Sequence, residues 1–213
     1  MTTQSPPLAD SWQLYVHFRS QPGSYKQSFL AYGPPFDSVG GFWSTFNALP
    51  RPSRAFTPPH QMAVSGQQIK AFSLFKGKIE PTWEDPVNAV GSELYCRCQL
   101  EAPVLDEMWL ATVLACVGNR LPAAVGVRAV DNSLRGKTQS KLEVWCPADT
   151  DEPALQASVL SILKETIPAP PAFEFQAHAD KSTMERKFFC TLKSAKKKAR
   201  AEASARPPGR PRR

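Results

Sequence analysis

The 213 residues are 42% apolar and 10% aromatic, enough to build one domain around a full hydrophobic core. The net charge of +7 is unevenly placed: nine Lys/Arg and one Glu fall in residues 193–213, which leaves residues 1–192 at −1. That distribution excludes a domain that covers nucleic-acid phosphates with a broad basic face, and no run of about 18 apolar residues is present to cross a bilayer.

Residues 1–10 are polar and contain prolines, and with no basic or apolar leader region they read as a disordered N-terminus. Trp12-Gln-Leu-Tyr-Val-His-Phe-Arg19 alternates as a strand, and a second short apolar run at 29–32 makes a hairpin with it around a Gly-containing tip. Residues 38–49 space Val39, Phe42/Trp43, Phe46 and Leu49 three or four apart behind Asp37 and Ser38, which predicts a capped helix in spite of Gly40 and Gly41. Proline-rich residues 50–66 predict a long loop, and 69–75 and 93–100 predict strands.

From Asp106 the apolar spacing becomes helical and stops at Gly118. Residues 123–130 and 141–145 alternate as strands around a polar loop, and a third helix covers 153–166 before a Pro-rich stop. Strands interrupted by well-separated helices, without regular βαβ units, predict an α+β fold: an antiparallel sheet with helices on one side. The expected organisation is a disordered 1–10, a folded domain over 11–192 and a basic disordered tail over 193–213.

Cysteines 96, 98, 116, 146 and 190 form an odd set without framework spacing. Cys96-Arg-Cys98 lacks the second pair or histidines of a zinc site, so reduced thiols and no metal are expected, in the cytoplasm with the nucleus as a second location.

The most informative segment is Phe72-Ser-Leu-Phe-Lys-Gly-Lys-Ile-Glu-Pro-Thr-Trp-Glu-Asp85, which sets an aromatic and two acids on a Pro-initiated turn. It resembles the cap-binding translation initiation factor 4E family, whose motif reads aromatic-Ser-Leu-Phe-Lys-x-Gly-Ile-x-Pro-x-Trp-Glu-Asp. The resemblance runs over residues 11–190 and includes Trp12, Phe42-Trp43, Trp109-Leu-x-Thr-x-Leu114, Val127-Arg128, Lys141-x-x-x-Trp145 and Gln176-x-His178-Ala-Asp180.

The resemblance implies a curved antiparallel sheet of about eight strands with three helices on its convex side. It further implies a non-enzymatic, monomeric receptor for the 7-methylguanosine triphosphate cap of mRNA, or a hypermethylated cap, needing no cofactor. Trp83 would form one slice of a sandwich around the methylated guanine, a cation by virtue of its N7-methyl group. The other slice, a tryptophan in most of the family, falls near Tyr25. Glu84 would read the guanine edge, Trp145 would line the pocket around the methyl group, and Arg128 and Lys141 would hold the triphosphate. The loop 131–140 is longer than the family's, so either Arg135 or Lys137 would be a third phosphate ligand.

On the opposite surface, Val39, Trp43, Leu110 and Leu114 would receive a helical segment of a 4G-type scaffold or a 4E-binding protein. Ala111 stands where the family has a glutamate. By themselves the residues also admit plainer roles: a core tryptophan at 83 or 43, a solvated acid at 84, an ion-paired strand residue at 128 and a structural histidine at 178. The runner-up functions are a cap-bound repressor or storage paralogue, which differs in partner, and a basic RNA-binding protein acting through its tail.

Overall fold

A computed structural model describes residues 5–19, 28–56, 61–133 and 137–179. The chain divides into two compact units, Met1–His178 and Ala179–Arg213, and of the second only Ala179 is described. Tyr25, Arg135 and the expected tail 193–213 lie outside the described residues.

The first strand, β1 (Pro7–Phe18), pairs antiparallel with β2 (Phe29–Ser38) and includes residues 7–10, which are ordered in the sheet rather than disordered as their composition predicts. Pro7 is held opposite Ser38, and the Pro6 carbonyl accepts a hydrogen bond from the Val39 amide at 2.9 Å. Helix α1 (Val39–Phe46) begins where the Ser38 hydroxyl accepts from the Gly41 amide. Gly41 is required for close approach: a Cβ there would lie 2.9 Å from the Phe36 Cβ.

The expected loop 50–66 contains a short helix, α2 (Pro52–Phe56), and a two-residue strand, β3 (Ala63–Val64). A long-range contact that local propensity does not show fixes α2. The Asp106 carboxylate accepts from the Ser53 amide at 2.9 Å and the Ser53 hydroxyl at 2.6 Å.

Next come β4 (Gln67–Lys76), a four-residue helix α3 (Pro86–Ala89), β5 (Ser92–Cys98), α4 (Ala102–Val117), β6 (Gly126–Asp131), β7 (Ser140–Cys146), α5 (Glu152–Lys164) and β8 (Glu174–Ala177). Helix α4 starts four residues ahead of Asp106, because Pro103 in its first turn is compatible with helix initiation.

The described strands form one antiparallel sheet in the order β2-β1-β4-β6-β7-β5-β8, with β3 paired to β4. Alternation along each strand sends one set of side chains to the core, among them Trp12, Leu14, Phe72, Leu74, Val127 and Leu142. Helices α1, α2, α4 and α5 bury their apolar sides in this same core, while α3 stands outside it. The sheet of eight strands was expected; five helices rather than three are present among the described residues.

Candidate functional site

The strand residues that point away from the core line up in cross-strand rows. One row reads Gln13, Phe75, Gly126, Trp145 and Glu93 across β1, β4, β6, β7 and β5; the next reads Tyr15, Ser73, Arg128, Glu143 and Tyr95. Gly126 makes the first row possible, because a Cβ there would lie 2.4 Å from the Phe75 ring. With that space open, Phe75 packs edge-on against Trp145 at 5.3 Å between ring centres.

Phe75, Val125 and Trp145 form a second buried apolar cluster, and Tyr15, Ile79 and Trp83 pack against it from the partly exposed side. Trp83 and Trp145, read as neighbours in one pocket, are thus brought together. Trp145 is fully buried and supports the cluster from within, whereas Trp83 is half-buried and Glu84 beside it is exposed.

The segment that carries Trp83 and Glu84 is pinned on both sides. The Asp85 carboxylate accepts from the Val87 amide with one oxygen, capping α3, and from the Glu80 amide with the other, each at 3.0 Å. The Asn88 side chain, 1% exposed, donates to the Glu80 and Thr82 carbonyls at 2.8 Å. His178 closes the far end: its Nδ1 lies 2.7 Å from the Asn88 carbonyl, and its amide donates to the Gly91 carbonyl at 3.0 Å. The landmark histidine therefore positions the turn. A carbonyl only accepts, so Nδ1 carries a proton toward Asn88, and the other ring nitrogen, Nε2, lies 3.8 Å from the Glu93 carboxylate.

Tyr15, half-buried beside Trp83, has its phenol pushed above the usual range by burial and by the negative charges of Glu80 and Asp85. It stays a neutral phenol at physiological pH.

The two expected phosphate cations have other partners. Arg128 is buried and its guanidinium donates to the Glu143 carboxylate at 3.1 Å, which is the ion-paired alternative for this residue. Lys141 is buried against Glu143 at 2.8 Å and against Glu93, and its ammonium lies 4.4 Å from the centre of the Tyr95 ring. Burial pulls the Lys141 pKa down, but Glu143 and Glu93 more than offset it, so the ammonium stays above its ordinary value. Glu143 also accepts from the Trp145 indole N–H at 2.9 Å. Lys137 is exposed.

His17, Glu93, Glu143 and Tyr15 were not singled out in the sequence. Each sits out of phase with the core residues of its own strand, and that alternation is the signal that places them on this face. Burial, and secondarily Arg128, pushes the His17 imidazole well below its usual pKa of 6.5, so its ring is neutral against the Ser73 hydroxyl at 2.7 Å. Among the described residues no group of three or more His, Cys, Asp or Glu is placed to hold a metal ion, and no helix is long and apolar enough to cross a membrane.

On the helical side, Phe42 is 2% exposed and the adjacent Trp43 is 39% exposed, as the 100° step between helix neighbours requires. Trp43 and Leu110 line one groove of about 250 Å³ together with Phe46, Leu49, Pro52 and Trp109. Val39 is exposed one turn earlier, and Leu114 is half-buried against the core; neither lines that groove.

The domain is thus a sheet with helices and a groove on one face and a pinned Trp-Glu turn beside the other. The family model described as eukaryotic initiation factor 4E matches residues 7–192, and the chain belongs to that family. The isoform 4E initiation factor of Capsicum annuum is 32% identical over 153 residues, 71% of this chain and 69% of the relative. Initiation factor 4E of Dictyostelium discoideum is 29% identical over 177 residues; the match takes in 82% of this chain and 65% of the relative, just under two thirds of its length.

Among solved structures, the complex of C. elegans eIF4E-3 with the 4E-binding protein Mextli and a cap analogue superposes with a TM-score of 0.65 at 22% identity, covering 84% of this chain and 96% of that one. Schistosome eIF4E complexed with m7GpppA and 4E-BP superposes at 0.63 and 22%, covering 84% and 91%. At these identities the likeness establishes the fold.

Proposed function

We propose that this chain binds the methylated guanine of the mRNA 5′ cap and passes the bound message to a helical partner docked on its opposite face. The observation that carries the reading is the pinned turn, where a half-buried indole backed by Trp145 and Phe75 adjoins an exposed carboxylate. The N7-methylated base is cationic, so stacking it on Trp83 adds a cation–π gain of about 2 kcal/mol to ordinary stacking of about 1–3 kcal/mol. Glu84 presents two acceptor oxygens, which match the N1–H and N2–H donors of guanine and not the edge of adenine.

Tyr25 completes the sandwich in this proposal, and Trp145 sets its depth. Docking uses Trp43 and Leu110, with Val39 and Leu114 flanking them, for the apolar side of a helix from a 4G-type scaffold or a 4E-binding protein. The C. elegans and schistosome proteins that share this fold support both halves, since their complexes contain a cap analogue or m7GpppA and a 4E-binding protein. A translational repressor of the same family would share the pocket and differ in the partner.

The test is retention of the full chain on 7-methyl-GTP resin. Release by free methylated cap and not by GTP supports the proposal; release by both at equal concentration refutes it.

A further inference from the structure

The face that carries Arg128 and Lys141 carries their counter-charges with them. Arg128 is paired with one oxygen of Glu143 and Lys141 with the other, while Glu93 pairs with Lys141 from the neighbouring strand. All four side chains are at most 8% exposed, and the set sums to zero charge. His17, beside it, is a neutral ring, Glu143 also accepts from the uncharged indole of Trp145, and the His178 Nε2 lies 3.8 Å from the second Glu93 oxygen.

A phosphate chain gains affinity from cations it can neutralise. An arginine held by a buried carboxylate has two options. It keeps its partner and offers a phosphate other N–H donors but a charge already compensated, or it turns away and leaves the carboxylate buried without compensation. The Trp83-Glu84 turn is subject to neither restriction, because it recognises the base through a ring face and an exposed acid.

We propose that Glu93 and Glu143 are specificity-determining residues. They neutralise Arg128 and Lys141, so the site selects the 7-methylguanine nucleoside and gains little from the phosphates attached to it. The inference rests on the cap-binding reading and concerns which part of the cap supplies the affinity.

The test titrates the full chain with 7-methylguanosine 5′-mono-, di- and triphosphate, followed by tryptophan fluorescence at about 0.15 M salt, where the Debye length is about 8 Å. The three dissociation constants are expected to agree within about ten-fold. In Glu143→Gln, which keeps an acceptor for the Trp145 indole and removes the charge, the preference for triphosphate over monophosphate is expected to grow by about ten-fold or more. Glu93→Gln should move it in the same direction, and if neither variant folds the ratio in the parent chain decides alone. A triphosphate preference above about ten-fold in the parent overturns this inference and leaves the cap reading standing. Failure of the folded chain to bind any of the three nucleotides overturns both.

Discussion

Replacing Trp83 by alanine separates the two jobs of this side chain. Its exposed part is the proposed stacking surface, and its buried part packs on Phe75, Val125 and Trp145. Loss of the first removes cation–π and stacking terms of about 2 and 1–3 kcal/mol. These overlap because one ring supplies both, so a loss of about 2–4 kcal/mol is expected, or roughly 30- to 1,000-fold in affinity at 1.4 kcal/mol per decade. Loss of the second costs less than the 3–5 kcal/mol of a fully buried Trp→Ala change, because Trp83 is only half-buried and Trp145 behind it is retained. A domain of ordinary stability, about 5–15 kcal/mol, survives that loss. Calorimetric titration with 7-methyl-GDP, run beside thermal melting, reads the two effects independently. Trp83→Phe should recover part of the affinity, since a smaller ring still stacks. Unchanged affinity in a folded Trp83→Ala chain would show that the pinned turn is not the base site.

Glu84→Gln should lose affinity and also selectivity for guanine over adenine, because one amide oxygen replaces two acceptors; competition with adenine and guanine cap analogues reads this, and unaltered discrimination makes Glu84 a solvated acid. Asn88→Ala should free the turn by removing both bonds to the Glu80 and Thr82 carbonyls, costing about 1–3 kcal/mol of stability and weakening cap binding with every pocket residue intact. A melting curve and a titration check the pair of effects together. Trp43→Ala should abolish capture of a 4E-binding helical peptide, at a cost of about 2 kcal/mol or more, while cap affinity and melting temperature hold; a joint loss would return Trp43 to the core. For His17 the folded pKa is depressed, so the unfolded chain takes up the proton first as pH falls. Stability from this group is full above 6.5, the ordinary value, and declines below it by up to about 1.4 kcal/mol per pH unit. Urea midpoints between pH 8 and pH 5 should show that decline reduced in His17→Phe, and identical pH profiles would exclude the assignment.

Much of the fold was legible because short-range patterns decide it. The alternation in Trp12 to Phe18 and the three-four spacing from Val39 to Phe46 correspond to β1 and α1, and the adjacent Phe42 and Trp43 separate into buried and exposed as helix geometry demands. Helix α2 was not legible, since it depends on Asp106, fifty-three positions further on, to satisfy Ser53. The turn bearing Trp83 and Glu84 could be read from Pro81 and its aromatic-acid pair, but not its fastening by Asn88 and His178, which meet only through the fold. Arg128 and Lys141 were read from the family pattern alone. Their carboxylate partners come from β7 and β5, and strand register, which single-strand patterns do not specify, brings the four charges together.

In the proposed function the positive charge of the N7-methylated base drives binding. Parallel titrations of the full chain with 7-methyl-GDP and GDP test it most directly, because the two ligands share phosphates, sugar and hydrogen-bonding edge and differ by one methyl group and its charge. Loss of a cation–π gain of about 2 kcal/mol predicts binding at least about 30-fold tighter for the methylated nucleotide. Equal dissociation constants would contradict it.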